Sequence, residues 1–296
     1  MEIMQCEAVL KAAELGSLSA AGEALNYTQS GITRMIKSLE EELGYPVFNR
    51  SKRGVVLTEN GKAMIPMFQD IVRAHNNAIE FSSGITGLIT GTLKIGTYYS
   101  ISALCLPSVL RSFCNDYPGI TIDLTEGGNK EVRSWLNDCT MDCCFCAEPA
   151  SDLDFSWIPL FEDEVVAWLP PDHPKASLDR FSVDDFNTEP FIHTSPDHDT
   201  DQDRLLAKFS LHPDTRFSTR DGYSTYKMVA AGLGVSFNQR LISRDWPKEI
   251  AEVPLDPPQF ISLGIAYPSE TSLSPAARIF TAYAAKEIRR IQLGNN

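Results

Sequence analysis

Gln29, Ser30, Thr33, Arg34 and Lys37 fall within one short stretch, QSGITRMIK. Their chemistry is that of recognition. A glutamine amide can bridge the edge of adenine, and a guanidinium can bridge that of guanine. Gln29, Thr33 and Arg34 stand at i, i+4 and i+5, so a helix would carry them near one face. Ile32, Met35 or Ile36, Leu39 and Leu43 recur at intervals of three and four and would form the opposite, apolar face. A helix that starts polar and basic suits the major groove of DNA.

The whole chain argues against this at first sight, since its 296 residues carry a formal charge of −13. The charge is uneven. Residues 1–90 hold eight Lys+Arg against ten Asp+Glu, which leaves −11 of the −13 to the remainder. DNA responds to the local patch within a Debye length of ~8 Å, not to the whole-chain sum. Arg34, Lys37, Arg50, Lys52 and Arg53 are opposed over their interval only by Glu40, Glu41 and Glu42. Those three glutamates sit at the far end of the helix, away from the groove.

Other reactive side chains give weaker patterns. Of seven cysteines, Cys139, Cys143, Cys144 and Cys146 crowd together. A metal or oxidant-sensing site is one reading. However, no second x2–4 knuckle follows, and strand alternation would send Cys144 and Cys146 to one face and Cys143 to the other. Buried thiols are the expected reading, with no metal and no cofactor. The five histidines lack metal spacing. His193 beside Ser195 has no orienting partner, and GxSxG, P-loop, GxGxxG and HExxH patterns are missing, so no enzyme is expected. Residues 1–16 lack a basic n-region, and no apolar run approaches the ~18 residues of a membrane span. The expectation is a cytoplasmic protein without membrane contact.

The elements that must position the recognition face read clearly. The spacing predicts a helix over Ile3–Leu15, stopped by Gly16, and a second over residues 19–25. After the Asn26-Tyr27 turn, Thr28 caps a third over Gln29–Leu43, closed by Gly44. This is a helix-turn-helix. Val47-Phe48 and Val55–Leu57 are two short strands around a basic turn, a wing whose Arg50, Lys52 and Arg53 suit phosphates. From Thr58 a long helix carries Met64, Met67, Ile71, Ala74, Ala78 and Phe81 at alternating steps of three and four, with Pro66 as a mild kink. A dimerisation seam is favoured, and packing on its own domain is the alternative. A Gly/Ser/Thr-rich hinge follows. From Thr92 strands alternate with helices, as in an α/β unit with mainly parallel sheets. FSWIPLF and DEVVAWLP read as separate strands.

Together these pieces resemble the LysR-type transcriptional regulators. The stretch ELGSLSAAGEALNYTQSGITRMIKSLEEELGYPVFNRSKRGVVLTENG (residues 14–61) carries the resemblance, with looser matches in PLFEDEVVAWLPPDHP (residues 159–174) and MVAAGLGVSF (residues 228–237). The resemblance implies an all-α winged helix-turn-helix over residues 1–58 and a linker helix with hinge over 59–91. It also implies an α/β effector-binding domain over 92–296, periplasmic-binding-protein-like, built from two Rossmann-like subdomains. The first subdomain would span about 92–161 and 267–296, and the second about 162–266. Implied partners are promoter DNA, a small inducer, a second copy in a homodimer, a homotetramer and RNA polymerase. The rival class is a small-molecule receptor acting through protein partners, which would not need a basic wing.

Gly22 and Gly31 stand where the family more often has alanine, each costing about 1 kcal/mol of helix stability, and Gly22 suits a closer helix crossing. Asn238 replaces a frequent proline. In the family the cysteine-rich stretch is a buried, normally aliphatic strand. The peroxide-sensing members use a cysteine pair in the second subdomain, and this chain has no cysteine after Cys146. By the same resemblance, strand ends and helix N-termini line the effector cleft. Here these are Tyr98, Tyr99, Ser100 and Ile101; Gly128 and Asn129; His193 and Thr194; and Asp221, Ser224 and Thr225 before a helix at 226–233. Helix N-termini suit a carboxylate, and the tyrosines suit an aromatic ligand.

Overall fold

The computed structural model describes residues 1–51, 54–85, 90–149, 155–196, 198–268 and 273–294. Three helices open the chain: α1 (Ile3–Leu15), α2 (Leu18–Leu25) and α3 (Gln29–Leu43). Glycines in the left-handed conformation end α1 (Gly16, φ 62°) and α3 (Gly44, φ 80°), as expected from their lack of a side chain. Cys6, Val9, Ile32, Ile36 and Leu39 meet in a fully buried core. Strands β1 (Phe48–Ser51) and β2 (Gly54–Leu57) pair antiparallel, Phe48 opposite Leu57.

Helix α4 (Glu59–Ile85) carries Pro66 inside it. It splits the expected seam. Met64 and Ile71 turn inward onto the N-terminal core, together with fully buried Phe68. Met67, Ala74, Ala78 and Phe81 face outward, Phe81 with 64% of its surface exposed. The reason is geometric. A straight α-helix drifts against a strict heptad, so one stripe cannot serve a single partner throughout its length.

The remainder is a two-lobed α/β unit. The first lobe begins β3 (Gly91–Thr97), α5 (Tyr99–Leu104), α6 (Leu106–Asp116), β4 (Ile120–Glu126), α7 (Asn129–Asn137), β5 (Cys143–Ala147). Next, β6 (Ser156–Leu169) crosses into the second lobe, which holds β7 (Phe181–Ser182), β8 (Pro190–Thr194), α8 (Asp201–Lys208), β9 (Asp214–Thr219), α9 (Gly222–Ala230), β10 (Ser236–Gln239) and β11 (Ala251–Asp256). Strand β12 (Phe260–Tyr267) returns, and α10 (Pro275–Gly294) closes the first lobe.

The main sheet runs β4-β3-β5-β12-β6-β11-β7, with β10 also on β6. It is mixed, not mainly parallel. β3 pairs parallel with β4 and β5, but β12 is antiparallel to both β5 and β6. The two strands expected from FSWIPLF and DEVVAWLP are one. β12 pairs along it from Ser156 to Glu164, with one register shift at Leu263/Gly264, so no break separates the two stretches. Leu263 and Ile265, assigned by sequence to the second subdomain, pack in the first lobe's core with Phe113, Phe145 and Phe280. The second core is aromatic, with Phe181, Phe186, Phe191 and Phe237 in contact.

Candidate DNA interface and sensor cleft

The turn between α2 and α3 is held by the Asn26 left-handed C-cap (φ 60°) and by Tyr27 N–H donating to Gly22 O at 2.8 Å. A Cβ on Gly22 would lie 2.8 Å from Tyr27 O. Gly22 therefore admits the turn itself, not the closer helix crossing expected from sequence. Thr28 Oγ1 accepts from Gly31 N at 3.1 Å, which starts α3 at Gln29.

On α3, Ile32, Ile36 and Leu39 point inward while Gln29, Ser30, Arg34 and Lys37 are exposed and Thr33 is half-buried. The structure thus brings the recognition set onto one open face. Ser30 Oγ lies 3.1 Å from Thr28 Oγ1, and Lys37 pairs with Glu41 at 3.5 Å. Arg34 has no ion-pair partner among the described residues. On the wing, Arg50 is described, whereas Lys52 and Arg53 lie outside the described residues.

Glu40 departs from its expected place. Its carboxylate accepts from Val47 N (2.8 Å) and Phe48 N (3.1 Å) and pairs with Arg50 (3.3 Å). It therefore fixes the wing to the recognition helix. Glu40→Ala would strand two donors beside buried Val47 and Phe48. The expected loss is about 1–3 kcal/mol of N-terminal domain stability, read as an earlier helical transition in circular dichroism. An unchanged transition would show that water replaces the carboxylate.

In the sensor the eleven expected effector residues separate. Ile101 is fully buried in the first core and Ser100 is 5% exposed, because α5 turns them inward beneath α6. Tyr99 is open to solvent. Helix α9 starts at Gly222, not at 226, and Asp221 caps it, accepting from Ser224 N and Ser224 Oγ at 2.8 Å each. The Ser224 backbone hydrogen bond holds the Asp221 carboxyl below its ordinary range. Thr225, fully buried, shares hydroxyl contacts with Thr194 (2.7 Å) and Thr219 (2.6 Å). Ser195 Oγ donates to Arg220 O, and His193 Nε2 lies 2.9 Å from Asp203 Oδ1, out of hydrogen-bond line.

Two expected residues do meet, both on the first lobe, and Asn129 carries the contact on to the second. The Tyr98 hydroxyl donates to Asn129 Oδ1, and Gly128 precedes Asn129 as the N-cap of α7. Asn129 Nδ2 in turn donates to the backbone O of Asp199 and, at 3.4 Å, to Asp201 Oδ1. Gln239 donates to the other Asp201 oxygen. Burial pushes the Tyr98 phenol and the Asp201 carboxyl up. Asp201 and Gln239 were not expected from the sequence. The Thr200-x-x-Asp203 capping box at the start of α8 was the available signal.

The cysteines pack as alternation requires. Cys143 lies in the first core and Cys144 and Cys146 lie on the other face with Val132 and Leu136. Burial pushes the Cys144 thiol up to about 12, which leaves little thiolate for reaction. Among the described residues no helix is long and apolar enough to cross a membrane.

The architecture is that of a winged helix-turn-helix protein carrying a two-lobed binding domain. Residues 3–62 match the model for the bacterial regulatory helix-turn-helix protein, lysR family, and residues 86–289 match the LysR substrate binding domain. The chain is 29% identical over 289 residues to YvbU, an uncharacterized HTH-type transcriptional regulator of Bacillus subtilis, covering 96% of this chain and 98% of that one. Full-length OxyR from Pseudomonas aeruginosa superposes with a TM-score of 0.77 at 23% identity, covering 98% and 95% of the two chains. Full-length CbnR complexed with its target DNA superposes with a TM-score of 0.62 at 18% identity, covering 97% and 100%. The chain belongs to the LysR family and is a DNA-binding transcriptional regulator with an effector-binding domain.

Proposed function

We propose that this regulator reads promoter DNA through Gln29, Thr33 and Arg34 in the major groove, with Ser30, Lys37 and Arg50 holding the backbone. The observation that carries this reading is the exposed Arg34, without an ion pair among the described residues, on a helix whose Ile32, Ile36 and Leu39 turn inward. Two copies pair through the outward stripe of α4, where Met67 and Phe81 are more than half exposed, and pairs assemble further into tetramers. A small molecule acts at the sensor by changing how the two lobes meet at the Tyr98–Asn129–Asp201 contact.

The test is a mobility shift on DNA from just upstream of the protein's own gene, against random DNA, over a salt series. Specific retention with a steep salt slope is expected. Arg34→Ala should weaken specific binding by about 1–3 kcal/mol and relax its sequence preference. Equal loss on both DNAs would make Arg34 a phosphate contact. No specific retention by a folded dimer would favour action through protein partners.

A further inference from the structure

We infer that the effector is a zwitterion of the α-amino acid class, held in a cavity at the hinge, beside the residues expected from the sequence. The inference rests on the sensor reading above. The cavity has a volume of about 310 Å3 and is walled by the end of β5, by α8 and by the start of β12. None of the expected residues lines it; it adjoins them through Asp201, to which the Asn129 amide donates.

The charges on its walls are not equivalent. Arg204 is committed to Asp199 by two hydrogen bonds of 2.9 and 2.8 Å. Asp201 is half-buried and accepts from the Asn129 and Gln239 amides. That leaves one carboxylate without a side-chain hydrogen bond and one cation without an ion pair among the described residues. Glu148, exposed at the end of β5, has no ion pair or side-chain hydrogen bond among the described residues. Lys208, at the end of α8, has no ion pair among the described residues; it donates to the neutral Gln259 Oε1 at 2.7 Å and lies 5.5 Å from the centroid of the Phe209 ring. Gln259 cannot turn away, because its amide donates to the carbonyls of Pro257 and Pro258. Glu148 and Lys208 line one cavity, on opposite lobes, yet do not pair with each other.

A ligand with an ammonium and a carboxylate satisfies both groups at once. It would also join the lobes, which a simple anion or cation would not do. Charge-assisted hydrogen bonds at both ends supply orientation. Leu205 and Ile261 offer an apolar wall to an uncharged side chain. The volume lies at the lower end of the ~300–1,000 Å3 typical of small-molecule sites.

The test uses the full chain and isothermal titration with L-leucine. Two analogues each lack one charge: 4-methylpentanoate has no ammonium, and 3-methylbutylamine has no carboxylate. Leucine is expected to bind at least about tenfold more tightly than either. Glu148→Gln should weaken leucine about tenfold and leave 4-methylpentanoate unchanged, while Lys208→Gln should weaken leucine and leave 3-methylbutylamine unchanged. Binding of 4-methylpentanoate as tight as that of leucine overturns the inference but keeps the sensor, which then takes a simple carboxylate. No binding of leucine, alanine, valine, methionine or phenylalanine also overturns it. The sensor reading is then judged separately, by whether carboxylates and aromatics without an amine shift the DNA complex.

Discussion

Replacing Phe68 by alanine should cost the N-terminal domain about 3–5 kcal/mol, the range for removing a large buried aromatic side chain. Phe68 is fully buried where α4 crosses the core formed by Ile32, Ile36, Leu39 and Val47. It lies on α4, the helix that carries the outward stripe, and packs into the core that α1 and α3 share. The cavity would loosen α4 from the N-terminal core, which it meets chiefly through α1, while leaving Met67 and Phe81 on its outward side. The measurement exploits an asymmetry of the chain. All four tryptophans, Trp135, Trp157, Trp168 and Trp246, lie in the sensor. In Phe68→Ala the helical transition followed by circular dichroism should move to lower urea, while the tryptophan transition stays. Movement of both together would show that the two domains unfold as one unit. Movement of neither would show that the core collapses into the space.

Asp163→Asn should make the sensor more stable at pH 7.5 by about 2–3 kcal/mol and should lose that advantage at pH 4. Asp163 lies on β6 opposite Ile261 of β12, 9% exposed, and accepts from Leu241 N at 3.0 and 3.3 Å. Burial raises its carboxyl from 3.8 to about 6, with the Leu241 hydrogen bond and Arg240 pulling the other way. The sign follows from which state holds the proton more tightly. A raised carboxyl is protonated more readily in the folded chain than in the unfolded one. Above pH 6 both states are ionised, and the folded state bears the full cost of the buried charge. As pH falls through 6 towards 3.8 the folded state takes up its proton first and the cost disappears. Asparagine carries no charge at any pH, and its amide oxygen can still accept from Leu241 N. Urea titrations of both proteins by tryptophan fluorescence at pH 7.5, 6 and 4 decide it. A difference that does not change with pH, or a less stable variant at pH 7.5, would sink the idea.

The N-terminal domain was legible because its determinants are local. Thr28, Gly16 and Gly44 are caps whose effect is confined to one turn, and the 3.6-residue period of Ile32, Ile36 and Leu39 fixes which face of α3 is open. The same holds for the alternation of Cys143 and Cys144, which depends only on the pleat. The domain order and the existence of a two-lobed sensor came from motif resemblance over residues 14–61, 159–174 and 228–237.

What the sequence alone could not give depends on partners far along the chain. Glu40 looked like one of three surface acids until the fold brought Val47 and Phe48 N–H to it. FSWIPLF and DEVVAWLP read as two strands because the partners on β12 that join them into one are nearly a hundred residues away. The effector residues were expected at strand ends, yet Ile101 faces the core, and Glu148 and Lys208 line one cavity at the hinge. A strand end fixes where a backbone stops. Which side chains then face one another is set by how two lobes built on a shared pair of strands close together, and that is a property of the tertiary structure.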